Sequence, residues 1–296
     1  MSYKKEEYVL ENITNDFYKT NNVAFSNTRY KPWPAITDFT ADLKESDVFL
    51  DLGCGNGRNL PKNGIKIAIE PCLKFLQEIK QKNETYPEKM NYKNIMLIQS
   101  TADCLSIKNS SIDKLLCCAV LHHLLDPSNC LKEIARVMKP EKTGLIVVWG
   151  EKGLKNKKIK EIVDYEPDML ECSELKKKII KLQLKLNDET ENFGVNFYSL
   201  LDRIGKLILE IIKIENEQHN LVPSKSLKYC RAIRIFKGHF LINWKQTGAM
   251  RYYRFYNETE IKQILDEHGL KIERMEYQDE SINCYIRKPS NSRFII

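Results

Sequence analysis

Asp51-Leu-Gly-Cys-Gly-Asn-Gly57 directly follows the apolar run Val48–Leu52 and is the strongest signal in this chain of 296 residues. Glycines at the end of a strand let the backbone turn sharply and approach a ligand closely. A dinucleotide site has the spacing G-x-G-x-x-G, whereas here the spacing is G-x-G-x-G and Arg58 stands at the sixth position. No Gly-Lys-Ser/Thr follows, so a phosphate-binding P-loop is excluded. The alternative interpretation is a glycine turn without a ligand.

Strand and helix signals alternate around this turn. Short apolar runs predict strands at 48–52, 65–70, 95–99, 113–120, 144–150, 270–277 and 281–287. Helical patterns predict helices after Pro71, over 126–138 and over 258–268. The last two strands are joined by a link too short for a parallel crossover, so they must pair antiparallel. The order predicts an α/β fold with a mostly parallel sheet covered by helices on both faces.

Two acidic side chains follow strands of this predicted sheet. Glu70 closes the second strand, where a carboxylate can accept hydrogen bonds from ribose hydroxyls. Thr101-Ala102-Asp103 follows the third strand, where an acid can receive an adenine amino group. The carboxyl ends of the strands are therefore the predicted ligand-binding edge.

Composition excludes several classes of protein. At 42% hydrophobic and 29% charged residues the chain has an ordinary globular composition, and no stretch approaches the length of a membrane span. The polar N-terminus predicts no secretory signal. The nine cysteines contain no Cys-x-x-Cys pair, so we expect reduced thiols, no metal site, and a cytoplasmic protein, with the nucleus as the alternative or additional location.

Two regions depart from the alternating pattern. Residues 1–45 read as a polar helical cap, interrupted by Lys31-Pro-Trp-Pro34. Residues 151–250 begin with a cluster of lysines and predict a helical insertion, because 175–186 and 200–212 each carry apolar residues at helical spacing. We therefore expect a single domain over 1–296 that contains this cap and this insertion.

The glycine turn, Glu70 and Ala102-Asp103 together resemble the class I S-adenosylmethionine (SAM)-dependent methyltransferases. The resemblance covers roughly residues 45–150 and 255–290. It implies the Rossmann-like fold of that class, a mostly parallel sheet with an antiparallel last strand, and SAM as the cofactor.

A narrower resemblance depends on Asn27-Thr-Arg-Tyr-Lys-Pro-Trp-Pro34, Ala119-Val-Leu-His-His123 and Arg251-Tyr-Tyr-Arg-Phe-Tyr256. These stretches are similar to the eukaryotic tRNA wobble-uridine methyltransferases, which convert 5-carboxymethyluridine to its methyl ester, and to the same domain in AlkB-homologue enzymes. The chain lacks the His-x-Asp of an AlkB oxygenase, so we expect a methyltransferase alone. The resemblance implies two partners, tRNA and a small zinc-binding activator protein, and gives no reason to expect DNA or a membrane.

The resemblance also implies roles for individual residues. The implied catalytic residues are Arg29, whose planar guanidinium suits a carboxylate, and His122. The implied cofactor-binding residues are Tyr30, Asp51, Gly53, Cys54, Gly55, Asn56, Gly57, Glu70, Ala102, Asp103, Ala119 and Val120. The implied substrate-binding residues are Lys31, Trp33, Trp149, Arg251, Tyr252 and Tyr253.

Simpler roles remain open for several of these side chains. The alternative for Trp33 is a packed indole in a rigid turn, and for His122 it is a histidine of the core. Trp149 would then pack at the edge of the sheet, and Cys54 would only fill a small space. Residues 218–257 carry eight Lys or Arg and no Asp or Glu, with aromatic residues between them, which favours RNA over a plain solvated face. The alternative functions are methylation of another RNA or a small carboxylic acid, and a non-catalytic scaffold that binds RNA or a partner.

Overall fold

The computed structural model describes residues 3–86, 94–155, 159–164, 230–236, 238–243 and 250–290. Contacts divide the chain into two compact units. One unit, here the sheet unit, comprises Tyr18–Leu154 and Tyr256–Ile296, and the other, here the insertion unit, comprises Met1–Phe17 and Lys155–Phe255. No helix in the described ranges is both long enough and apolar enough to cross a membrane.

A seven-stranded sheet forms the centre of the sheet unit, in the order β10-β11-β5-β4-β1-β2-β3. Its strands are β1 (Val48–Leu52), β2 (Ile65–Ile69), β3 (Ile95–Ile98), β4 (Ile112–Cys118), β5 (Met138–Trp149), β10 (Lys271–Gln278) and β11 (Ser281–Arg287). Neighbouring strands are parallel except around β11, which is antiparallel to both β5 and β10. The predicted α/β sheet with an antiparallel last strand is confirmed.

The described residues also form five α-helices: α1 (Tyr3–Thr28), α2 (Pro34–Thr40), α3 (Leu73–Thr85), α4 (Ser128–Val137) and α5 (Glu258–Glu267). Apolar side chains of α4 and α5, such as Ile134 and Leu265, pack with Leu115 on one face of the sheet. Side chains of α2 and α3, such as Ile36 and Ile79, pack on the opposite face. The sheet is therefore buried on both sides, as its continuous apolar strands require.

Two predicted strand ends differ from the structure. Strand β4 stops at Cys118, because Ala119 adopts a left-handed φ of 61°. Strand β5 begins at Met138 rather than at Gly144, and its pairing with β4 shifts register near its start, so the segment containing Pro140 is accommodated as a bulge.

The insertion is not helical where the structure describes it beyond its first residues. A short 3-10 helix (Glu151–Lys155) precedes β6 (Ile159–Asp164), β7 (Cys230–Phe236), β8 (His239–Asn243) and β9 (Met250–Arg254). These four strands form a second sheet in chain order. The helical prediction for 151–250 is wrong for β6, β7 and β8, where Ile and Phe recur, because these residues favour strands. The helices predicted over 175–186 and 200–212 lie outside the described residues.

The chain leaves the sheet and returns to it at one place. Gly150 forms an isolated bridge with Tyr256, the Tyr256 amide donates to the carbonyl of Trp149 at 2.9 Å, and the Glu151 amide donates to the carbonyl of Tyr256 at 3.0 Å. The two strand-like ends of the insertion are thus hydrogen-bonded to each other within the sheet unit.

Candidate functional site

The glycine turn after β1 is tightly packed at Gly53 and leaves free space at Gly55. Gly53, Gly55 and Gly57 have φ values of 73°, 53° and 77°, in the left-handed region that favours glycine. A Cβ on Gly53 would lie 2.3 Å from a methyl carbon of Val120, so this position admits no side chain. A Cβ on Gly55 would meet no described atom closer than 3.9 Å. The space at Gly55 is the opening that a bound ligand would fill.

Glu70 lies beside that opening and holds the turn. One carboxylate oxygen accepts from the Gly55 amide at 3.0 Å, and the other accepts from the Cys72 amide at 2.9 Å. The side chain is buried, and burial raises the pKa of Glu70 to about 7, although both amide hydrogen bonds oppose this rise. Each oxygen retains a second lone pair, so the carboxylate can also accept from a ligand hydroxyl.

Asp51 is a second buried acid in the same place. Its Oδ2 atom has no hydrogen-bond partner among the described residues. Burial, together with the charge of Glu70, raises the pKa of Asp51 to about 7, while Arg58 opposes the rise. Burial followed by these two acids also raises the pKa of the Cys54 thiol well above its ordinary value, so Cys54 fits the role of a filler. Two acids with an unpartnered buried oxygen suit a ligand with positive charge and hydroxyl groups.

The turn after β3 contains the predicted adenine-binding residues. Ala102 packs against the core, and Asp103 is exposed. The chain beyond them is held by α4: Arg136 donates to the carbonyls of Leu105 at 2.9 Å and Ile107 at 2.6 Å. Glu133 pairs with Arg136 and accepts from the Leu105 amide at 2.6 Å. The only sign of this Glu133–Arg136 pair in the sequence is the Glu-x-x-Arg spacing on a helix, which does not indicate the contacts with Leu105 and Ile107.

Of the predicted site residues after β4, His122 lies in a position that does not suit its expected role. Ala119 and Val120 lie against the glycine turn, as the contact of Val120 with Gly53 indicates. His122 is 1% exposed, and its Nδ1 accepts from the Trp149 amide at 3.3 Å. His122 therefore supports the end of β5, where Trp149 is half-buried, rather than presenting a ring to an acceptor.

His123 is the more accessible histidine of the pair. It is half-buried, and its Nε2 lies 3.0 Å from the hydroxyl of Tyr18 on α1. These residues are 105 positions apart, so no local pattern in the sequence indicates their contact.

The segment between α1 and α2 lies next to the glycine turn. Tyr30 is 72% exposed, and the Lys31 ammonium lies 5.9 Å from its ring centroid. The guanidinium of Arg29 lies 4.4 Å from the Phe25 ring centroid. Trp33 is half-buried, so it is neither a free stacking platform nor fully in the core. The structure thus brings Arg29 and Trp33, two of the residues predicted to bind the acceptor, close to the predicted cofactor turn.

Three predicted substrate-binding residues lie elsewhere, on β9 of the insertion unit. Arg251, Tyr252 and Tyr253 are all buried. The Tyr252 hydroxyl lies 2.6 Å from Nδ1 of His239, and the Arg251 guanidinium lies 5.0 Å from the Tyr253 ring centroid. The structure uses these side chains for packing within the insertion unit, which differs from the exposed base-stacking surface that the sequence suggested.

Comparisons with known proteins agree with this geometry. The family model described as a methyltransferase domain matches residues 50–146. The tRNA (carboxymethyluridine(34)-5-O)-methyltransferase of Schizosaccharomyces pombe is 29% identical over 62% of this chain and 79% of its own length. The mouse tRNA (carboxymethyluridine(34)-5-O)-methyltransferase ALKBH8 is 30% identical over 46% of this chain, and the match spans only 20% of the mouse protein.

Solved structures share the fold at low sequence identity. A SAM-dependent methyltransferase from Methanosarcina mazei has a TM-score of 0.52 and 18% identity, covering 88% of this chain and 99% of that protein. The 1,6-didemethyltoxoflavin-N1-methyltransferase of Burkholderia thailandensis, solved with S-adenosylhomocysteine, has a TM-score of 0.52 and 13% identity, covering 94% of this chain and 88% of that protein. The sheet unit therefore has the fold of the class I SAM-dependent methyltransferases, its residues 50–146 match a methyltransferase domain, and the chain is similar in sequence to the tRNA (carboxymethyluridine(34)-5-O)-methyltransferases.

Proposed function

We propose that this chain transfers the methyl group of SAM to the carboxylate of 5-carboxymethyluridine at position 34 of tRNA, giving the methyl ester. The observation that carries the proposal is the position of Arg29–Pro34 against the glycine turn, where an acceptor must approach the cofactor. The names of the fission yeast and mouse relatives support the choice of substrate.

The residues at the turn fit SAM. The opening at Gly55 has space for a ligand, and the buried Oδ2 of Asp51 and the carboxylate of Glu70 suit its ammonium and ribose hydroxyls. Asp103, which is exposed on the neighbouring loop, would receive the adenine amino group. When bound, SAM supplies a methyl group made electrophilic by the sulfonium.

Methyl transfer to a carboxylate requires the protein mainly to position the two reactants. A carboxylate is already ionised at neutral pH, so no general base has to remove a proton before it attacks a methyl group. Arg29 is the residue proposed to orient the acceptor, because a guanidinium can hold a carboxylate by two parallel hydrogen bonds. Its position over the Phe25 ring restricts the guanidinium before an acceptor arrives. Catalysis then rests on alignment and on exclusion of water.

A zinc-binding activator protein is the proposed protein partner, and the β3 edge of the sheet is its proposed docking site. Within the described part of the chain, strand β3 pairs only with β2, so its other edge is open in the sheet. Met96 on this strand is 57% exposed, and Ile65 on β2 is 41% exposed. An apolar edge strand of this kind needs a cover, since open edges favour aggregation.

Mass spectrometry of tRNA nucleosides tests the proposed reaction. Cells that lack this chain should accumulate 5-carboxymethyluridine at position 34 and lose its methyl ester, and the wild-type gene should restore the ester. Unchanged methyl ester in the deleted cells would contradict the proposal.

A second test uses Arg29→Lys, which keeps the charge and loses the planar fork. Turnover of carboxymethylated tRNA should fall by more than about tenfold, while S-adenosylhomocysteine affinity stays close to wild type. Arg274→Lys is the matched control, since Arg274 on β10 stacks on the Tyr285 ring, away from the glycine turn. Equal losses in the two variants would assign Arg29 a structural role.

A further inference from the structure

Asn56 connects the cofactor turn to the acceptor segment. Its Nδ2 donates to the carbonyl of Arg29 at 2.8 Å, and its Oδ1 accepts from the Arg58 amide at 3.4 Å. The side chain is only 4% exposed. Both polar ends of the amide are therefore engaged by the protein, besides the cofactor-binding role that the resemblance implies for Asn56.

The neighbouring residue makes the corresponding contact on the cofactor side. The Gly55 amide donates to Glu70 at 3.0 Å, and Glu70 is the acid that would hold the ribose. Two consecutive residues of the turn thus bind different partners: Gly55 donates to the carboxylate of Glu70, and Asn56 donates to the backbone carbonyl of Arg29.

The end of the turn makes two more contacts with the same segment. The Trp33 amide donates to Oδ1 of Asn59 at 3.4 Å, and the Arg58 guanidinium lies 5.6 Å from the Trp33 ring centroid. Arg29 and Trp33 are therefore each tied to the turn, so the acceptor segment is held at both of its ends.

We propose that Asn56 is a positioning residue that couples the cofactor site to the acceptor site. Cofactor binding fixes the glycine turn, and the hydrogen bond from Asn56 to the Arg29 carbonyl then restricts the acceptor segment. The proposal deepens the proposed function, because it takes Arg29–Pro34 as the acceptor-binding segment. It predicts ordered binding, with the cofactor first and the acceptor second. The physical basis is that a segment already fixed by one ligand loses less conformational freedom when the other binds.

Hydrogen exchange followed by mass spectrometry tests the coupling without any turnover. In the wild-type protein, S-adenosylhomocysteine should slow exchange by about fivefold or more in peptides covering both 53–58 and 27–36, the range expected for coupled sites. In Asn56→Ala, protection of 53–58 should remain while protection of 27–36 is lost. Protection of 27–36 that persists in this variant, or that is absent from the wild type, would overturn the proposal.

Two further variants keep the test decisive. Asn56→Asp retains the shape and the acceptor oxygen but loses the donor to Arg29, so it should lose the coupling even if Asn56→Ala fails to fold. Asn63→Ala is the matched control, because Asn63 donates to the Leu43 carbonyl at 3.4 Å, outside the site. The control should keep wild-type protection in both peptides, and loss of coupling there would show that Asn56 has no special role.

Binding of an anticodon stem-loop that carries 5-carboxymethyluridine separates this proposal from the proposed function. S-adenosylhomocysteine should tighten its binding by about fivefold or more in the wild type and by less than about twofold in Asn56→Asp. If the stem-loop does not bind at all, the proposed substrate is wrong, whereas the exchange experiment still decides the coupling. If the stem-loop binds equally with and without the cofactor product, the coupling is wrong.

Discussion

Replacing Glu70 by Gln should stabilise the ligand-free protein and weaken cofactor binding at the same time. Burial raises the pKa of Glu70 from 4.5 to about 7, so ionising it in the folded protein costs roughly 3 kcal/mol at about 1.4 kcal/mol per pKa unit. Glutamine is neutral, but its amide can accept from only one of the Gly55 and Cys72 amides, which costs about 1 kcal/mol. At pH 8 the variant should therefore gain about 2 kcal/mol in unfolding free energy.

The pH dependence gives the sign of this effect. A carboxyl with a higher pKa in the folded state than in the unfolded state binds its proton more tightly when folded. Its contribution to stability is complete below pH 4.5 and is lost as the pH rises through about 7. At pH 5 the difference in unfolding free energy between the wild type and Glu70→Gln should nearly vanish, because the wild type has then lost only about 0.8 kcal/mol, which the hydrogen bond lost in the variant offsets.

Denaturant unfolding without ligand at pH 5, 6, 7 and 8 measures the stability gap between wild type and Glu70→Gln. Calorimetry with S-adenosylhomocysteine measures binding, which should weaken by about 1.5–3 kcal/mol, or roughly 10–150-fold, as a charged hydrogen-bond acceptor is lost. Glu84→Gln, an exposed position near the end of α3, is the control and should change neither quantity. A gap that does not grow with pH, or an unchanged affinity, would refute the role of Glu70 as a buried cofactor-binding carboxylate.

Three other substitutions test separate parts of the structure. Arg136→Lys should lower S-adenosylhomocysteine affinity by about tenfold, because the guanidinium that holds the loop after Asp103 is lost. Calorimetry that finds no change would show that this loop keeps its position without Arg136. Gly53→Ala should lower the unfolding free energy by more than about 3 kcal/mol, because the added methyl group clashes with Val120. Gly55→Ala should lower it by only about 1–2 kcal/mol and yet abolish cofactor binding. Equal losses of stability in denaturant unfolding would contradict this difference. Met96→Lys should prevent a stable complex with the proposed zinc-binding activator, and gel filtration that still finds a heterodimer would contradict the proposed docking site on β3.

The parts of the site that lie close together in sequence were predictable. The turn from Asp51 to Gly57 needs backbone that only glycine adopts readily, and the acids at the ends of the next strands follow from the sheet topology. The strand positions could be predicted because each apolar run of the sheet unit is bounded by turn residues or by a helical pattern.

The parts that depend on distant contacts were not predictable. The Tyr18 hydroxyl and His123 meet only because α1 packs beside the end of β4, and the amide of Asn56 reaches a backbone carbonyl that has no side-chain signature. Composition and the resemblance predict that the aromatic residues of β9 bind RNA. Burial, which composition does not report, separates a packed tyrosine such as Tyr252 from one that stacks on a base.

The bridge between Gly150 and Tyr256 has an evolutionary consequence. Because the exit and return of the chain are hydrogen-bonded neighbours, a flexible segment added between them would be a loop whose ends the sheet already joins. Doubling the length of such a loop costs only about 0.6 kcal/mol in closure entropy. The seven-stranded sheet could therefore acquire, enlarge or exchange an insert at this place without any change in its strand pairing.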